Sequence, residues 1–167
     1  MNVSERDREL AEAVLLRERG SAEEARLRLL ALGELLPADA EIAYQTAWAH
    51  DVLGREAEAV PYYERALAAP DLAPEDRREA LLGLGSTYRA LGRYEEAERT
   101  LRLGAAEFPE HGGLRVFLAM ALFNTGRHEE SVRLLLELLA ATSEDPSVRP
   151  FRAAIESYAR DLTAITG

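Results

Sequence analysis

The sequence contains no cysteine and no lysine, and it has one tryptophan and two methionines. Without cysteine there is no disulfide scaffold, thiolate metal site or thiol nucleophile. All 20 basic residues are therefore arginine. They face 30 acids, which leaves a net charge of −10. A chain this acidic is a poor binder of nucleic acid or an anionic membrane, because both rest on neutralising phosphates with basic side chains. Long hydrophobic runs are also missing. The longest apolar stretch, Leu134 to Ala141, is broken by Glu137, well short of the roughly 18 residues a membrane span needs. The charged opening, Met1 to Glu9, lacks the apolar core of a signal peptide, so a cytoplasmic protein is expected.

What is abundant is alanine and leucine, 29 and 27 of 167 residues. With 47% apolar residues the chain is not disordered, and its length suits a single domain over residues 1–167 with a sizeable core. The internal period is the most informative feature. Gly20, Gly54, Gly92 and Gly126 are spaced by 34, 38 and 34 residues, and each is followed by a short polar start and an acid-rich amphipathic run. Glycine closes a helix in the left-handed conformation, and acids suit a first helical turn. Each glycine therefore predicts the tight turn of a helix pair. Ser21 and Glu24 form the pattern of a capping box at the first of these starts.

The residues around the glycines give a second test. Seven before them stand Ala13, Ala47, Gly85 and Ala119, and five after them stand Ala25, Ala59, Ala97 and Ser131. All eight are small, as close crossing of two helices requires; by chance this would occur about once in ten thousand trials or less. Nine after each glycine stand Leu29, Tyr63, Leu101 and Leu135, expected as the bulky knobs that fill the next space. Pro37, Pro70 and Pro109 mark the ends of second helices. Pro61 falls inside one, where it removes a backbone hydrogen bond.

This pattern resembles the tetratricopeptide repeat. The third unit carries the match most clearly, as Leu84, Gly85 and Tyr88 followed by Gly92, Ala97 and Pro109. The resemblance implies an all-α, right-handed solenoid of four helix–turn–helix repeats, at about 4–37, 38–73, 74–109 and 110–143, with a C-terminal capping helix at about 147–165. The early tryptophan of the family is missing from every unit. The chain also resembles a family of small bacterial single-domain tetratricopeptide proteins, through Ala47-Trp48-Ala49-His50-Asp51 and Ala59-Val60-Pro61-Tyr62-Tyr63. That likeness implies a homodimer.

In such a fold the first helix of each pair lines the concave surface. The resemblance places Leu10, Val14, Arg17, Tyr44, Trp48, Asp51, Leu82, Ser86, Arg89, Val116, Met120 and Phe123 there. Most are apolar or aromatic, and the alternative to a bare binding groove is that they pack between adjacent first helices. The acids Asp7, Glu41 and Glu79 at the groove entrances would favour a partner with basic flanks. A clamp for a terminal carboxylate of the kind some family members use is not expected. There is no lysine, and the usual asparagine positions hold Val14, Trp48, Ser86 and Met120. Past the fourth unit, Phe151, Ile155, Tyr158, Leu162 and Ile165 recur at helical spacing, as one stripe that either caps the solenoid or joins a subunit interface.

Catalytic patterns are lacking. His50, His111 and His128 have no zinc-type spacing. Gly83-Leu84-Gly85-Ser86-Thr87 lies in a predicted helix without the strand and lysine of a phosphate loop. The expected function is a protein-binding module with no cofactor, no metal and no enzymatic activity. It would take a helix or peptide in an apolar groove and self-associate. The alternative is a regulatory domain that binds a small apolar ligand there.

Overall fold

The computed structural model describes residues 1–163, and all regular structure among them is helical. The elements are α1 (Val3–Glu18), α2 (Ala22–Leu35), α3 (Ala40–Val52), α4 (Glu56–Ala68), α5 (Pro74–Ala90), α6 (Tyr94–Glu107), α7 (Gly112–Asn124), α8 (His128–Thr142) and α9 (Arg152–Arg160), with a single 3-10 turn at Arg149–Phe151 before the last.

Local chemistry sets the ends. The Asn2 and Asp39 side chains accept hydrogen bonds from the Glu5 and Ile42 amides, at 2.9 and 3.0 Å, and so cap α1 and α3. Pro74 begins α5, where its missing N–H costs nothing. The four positive-φ residues among those described are Gly20, Gly54, Gly92 and Gly126, at +68° to +89°. At each, the glycine amide reaches the carbonyl three residues back, and the next amide reaches back five: Ser21 to Leu16, Arg55 to His50, Arg93 to Tyr88 and Arg127 to Leu122, at 2.8–3.0 Å. This is the Schellman closure, and it explains glycine at all four positions.

That closure also removes the capping box expected at Ser21. The Ser21 amide already bonds the Leu16 carbonyl, so Glu24 has no N–H to accept from. The Ser21 side chain makes no cap bond, and Glu24 pairs with Arg28 instead.

By contacts the chain divides into two compact units, Met1–Arg93 and the part from Tyr94 onward. In the first, each helix from α1 to α4 packs on its successor. Its core includes Leu10, Ala13, Leu29, Leu32, Ile42 and Ala49. In the second, α6 packs on α7, α7 on α8 and α8 on α9, around buried Leu101, Leu114, Leu118 and Leu122. All eight small crossing residues are buried. Ser131 additionally gives its hydroxyl hydrogen to the Ala119 carbonyl at 2.6 Å.

Of the four expected knobs, Leu29, Tyr63 and Leu101 are buried, but Leu135 is 42% exposed. It lies with Val132 and Leu139 on an outward stripe of α8. The last helix is also shorter than expected. It runs from 152 to 160 and buries Ala159, whereas Phe151, Tyr158 and Leu162 face solvent and Ile155 is half-buried. The helix packs on α8, and its covered residues are Arg152, Ile155 and Ala159, so the aromatic part of the stripe is left outside. Ile165 lies outside the described residues. Pro61 sits at the sixth position of α4 with an exposed ring. The Ala57 carbonyl it leaves without an intrahelical donor belongs to an exposed residue, which water can reach.

Candidate functional site

In the first unit the residues expected on the concave face separate by burial. Leu10 belongs to the core, and Val14 packs against that core from its edge. Tyr44 is buried; Leu82, Ser86 and Arg89 are half-buried. Trp48 is the large apolar group presented outward, 40% exposed. Leu10 and Tyr44 therefore form the floor beneath the face, and Trp48 is its accessible part.

Trp48 is held from two sides. The Tyr44 ring, one turn earlier on α3, lies 5.8 Å away between centroids, and Tyr44 in turn contacts Tyr63 at 6.5 Å. From α1, the Arg17 guanidinium carbon stands 3.8 Å over the Trp48 ring. Arg17 is only 7% exposed. It donates through Nη1 to Gln45 Oε1 on α3. Burial lowers its pKa, only partly opposed by the Tyr44, Glu18 and Tyr63 fields. No carboxylate is paired with it among the described residues. A cation stacked on a partly exposed indole gains roughly 1 kcal/mol. That offsets only part of what burying a charge costs.

Asp51 is turned inward rather than toward a ligand. Its carboxylate accepts from Tyr63 Oη on α4 at 2.7 Å, and Thr87 Oγ1 on α5 lies 2.9 and 2.8 Å from its two oxygens. Burial pushes the Asp51 pKa up by more than these hydrogen bonds pull it down. The protonated acid suits this site: it can donate to Thr87 Oγ1, whose own hydrogen then serves the Gly83 carbonyl at 2.8 Å. One residue thus ties three helices together. Burial also raises the pKa of Tyr63, reinforced by the Asp51 charge. His50 gives no second function to the site: it is buried, its Nδ1 lies 2.8 Å from the Thr46 carbonyl, and its ring stacks on Tyr62.

Acids collect at the starts of α3 and α5. Asp76 is pushed up by burial and then by Glu41, Glu75 and Glu79. Nearby, Arg6 from α1 grips Asp39 through Nε and Nη2 at 2.9 and 2.8 Å and also reaches Glu41 at 2.8 Å. Burial would raise the Asp39 pKa, but the Arg6 fork and the Ile42 amide outweigh it and hold the carboxyl below its usual range.

In the second unit Val116 is half-buried and Met120 and Phe123 are exposed, Phe123 by 60%. Phe123 leans on the His128 ring at 4.7 Å. An ion network ties this unit together. Glu98 accepts from Thr125, Arg102 and Arg127 at 2.7–2.9 Å, and both arginines also reach Glu130 at 2.8 Å. These donors outweigh the upward push of burial and lower the Glu98 pKa.

No group of three or more potential ligands that could hold a metal ion occurs among the described residues. No helix among them is long and apolar enough to cross a membrane. Sequence reasoning set Arg17 on this face by its distance from Gly20, but it could not show that the charge is buried without a counter-ion. That depends on Gln45 and Trp48, which lie one repeat later.

Comparison with known proteins agrees with this fold. The family model described as tetratrico peptide repeat matches residues 40–162. A solved structure of PilF from Pseudomonas aeruginosa is similar at a TM-score of 0.69, with 21% identity over 93% of this chain and 69% of that one. No curated protein matches the sequence.

Proposed function

We propose, from the premise that this chain belongs to the tetratricopeptide repeat family, that it is a protein-binding module with no catalytic role. In this reading the Trp48 face of the first unit docks a helix or an extended peptide of a protein partner, and the chain associates with itself as a homodimer. The observation that carries this is an exposed tryptophan held rigid by Tyr44 and Arg17. Rigid aromatic anchors of this kind supply most of the energy at protein interfaces, at low cost in conformational entropy. The acids Glu41, Asp76 and Glu79 at the starts of α3 and α5 favour basic residues flanking the bound segment. Met120 and Phe123 give the second unit an apolar contact of its own.

Two hollows of the first unit, of about 320 and 190 Å³, are lined by Met1, Val3, Arg6 and Leu36, and by Glu12, Leu15 and Arg28. Both are lined by residues other than Trp48 and by charged groups, so they lend no support to a small apolar ligand on the Trp48 face. The test is sedimentation of the wild type and Trp48→Ala from low micromolar upward. The expected result is a dimer weakened by the substitution. A monomer at every concentration removes the self-association, and a dimer of unchanged affinity moves it off the Trp48 face.

A further inference from the structure

Arg17 makes one protein hydrogen bond among the described residues, Nη1 to Gln45 Oε1. Among the described residues, the buried side-chain nitrogens without a partner are Arg102 Nη2 and Arg152 Nε. Arg17 Nε and Nη2 are not among them. The residue is 93% buried, yet these two donors keep solvent access. They form the side edge of the guanidinium, the edge that takes a carboxylate in two parallel hydrogen bonds.

The same unit shows what that edge does elsewhere. Arg6 uses Nε and Nη2 to hold Asp39 at 2.9 and 2.8 Å. Arg26 uses Nε and Nη2 to hold Glu23 at 3.0 and 2.6 Å. In Arg17 the edge is left free while the flat face is covered by Trp48 and the far nitrogen is fixed by Gln45. The orientation is thus set in advance, and so is the desolvation that makes a charge pair strong. An unpaired buried charge is costly, and an incoming anion would relieve that cost.

We propose that the Nε/Nη2 edge of Arg17, beside the exposed ring of Trp48, is a recognition subsite for an aspartate or glutamate side chain on the segment of a partner protein that docks there. The assignment rests on the docking face proposed above. It gives that face a polar key within an apolar surface: the partner presents an apolar group to Trp48 and an adjacent acid to Arg17. The pattern expected in a bound helix is one large apolar residue with an acid three or four positions away, the spacing that puts both on one face.

Trp48 is the only tryptophan, so its fluorescence reads the site directly. Two synthetic amphipathic helical peptides are titrated into the full chain. They are alike except that one carries glutamate and the other glutamine beside the leucine stripe. The glutamate peptide is expected to bind at least tenfold tighter, and the preference is expected to fall within twofold in Arg17→Gln and in Arg17→Met. Equal affinities for the wild type overturn the subsite and leave the docking face standing. Failure of both peptides to perturb Trp48 overturns the subsite and the face together. A preference that survives in a folded Arg17 variant also overturns the subsite. Should both variants fail to fold, the Arg17 Nε–H resonance of the wild type is followed by NMR during titration with acetate and, in parallel, chloride. A saturable shift with acetate alone is expected, and equal responses refute the subsite.

Discussion

Gly83 stands in the middle of α5, where alanine would ordinarily be the better residue by about 0.5–1 kcal/mol. The structure predicts the opposite sign. A Cβ built at Gly83 would lie 2.6 Å from Tyr63 Cζ and 2.9 Å from Cε1, and it would clash with the hydroxyl oxygen as well. A flexible side chain could swing away, but Tyr63 is only 2% exposed, packs on Tyr44 and is tied through its hydroxyl to Asp51 at 2.7 Å. Moving it overpacks the α4/α5 contact, at about 1–3 kcal/mol. It also breaks the Tyr63–Asp51 hydrogen bond, whose loss from a part-buried carboxylate costs about 1–2 kcal/mol. Less the helix-propensity gain, Gly83→Ala should destabilise the chain by about 1–4 kcal/mol. Urea unfolding followed by circular dichroism and by Trp48 fluorescence measures this. Tyr63→Leu should cost stability by itself but make Gly83→Ala nearly neutral when the two are combined, because the clashing ring is gone. A stable or stabilised Gly83→Ala single variant would refute the reasoning, since it would mean that Tyr63 yields freely and does not hold α4 against α5.

The other predictions concern charge and turn geometry. Asp51 has a folded pKa above its unfolded value of about 4, so its contribution is fully present below that value and is lost as pH rises through the folded one. Asp51→Asn can keep the hydrogen bonds of the protonated acid. Relative to the wild type it should therefore be more stable at pH 7 than at pH 4, in parallel urea titrations; the reverse order would contradict the raised pKa. Glu98, with a lowered pKa, works the other way: its stabilisation is present above the unfolded glutamate pKa and is lost as pH falls through the folded one. Glu98→Gln should accordingly destabilise at pH 7 and matter little at pH 2, read by thermal melts. Gly126→Ala, at φ +81°, should cost about 1 kcal/mol despite open space around it. Ser21→Ala should change stability by less than about 0.5 kcal/mol, because its side chain makes no cap bond, while Asp39→Ala should cost clearly more, losing both the Ile42 cap and the Arg6 fork.

The backbone plan was legible because it rests on strictly local requirements. A helix end that must turn left-handed needs glycine, and the four glycines at near-regular spacing are the four positive-φ residues among those described. Crossing positions must be small, and all eight are buried. What stayed hidden depends on competition between partners. The capping box at Ser21 looks complete in one dimension, but the turn has already taken the amide it needs. Leu135 follows the knob spacing and yet stays on the surface, because burial needs a neighbour that the spacing cannot supply. The inward turn of Asp51 could not be read at all, since its partners Tyr63 and Thr87 lie 12 and 36 residues away. Of the candidate face, the sequence marked Trp48 and its surroundings. It left open whether Leu10 and Tyr44 are bare or packed between helices, and it gave no sign that Arg17 keeps one edge unpaired.

The most direct measurement is fluorine NMR of the chain carrying 5-fluorotryptophan at its only tryptophan, recorded from low micromolar to millimolar protein alongside sedimentation. If the Trp48 face is where protein docks, the resonance shifts or splits saturably over the concentrations at which the mass doubles. A doubled mass with an unmoved resonance, or a constant mass with neither the resonance nor its linewidth responding to the glutamate peptide, would contradict it.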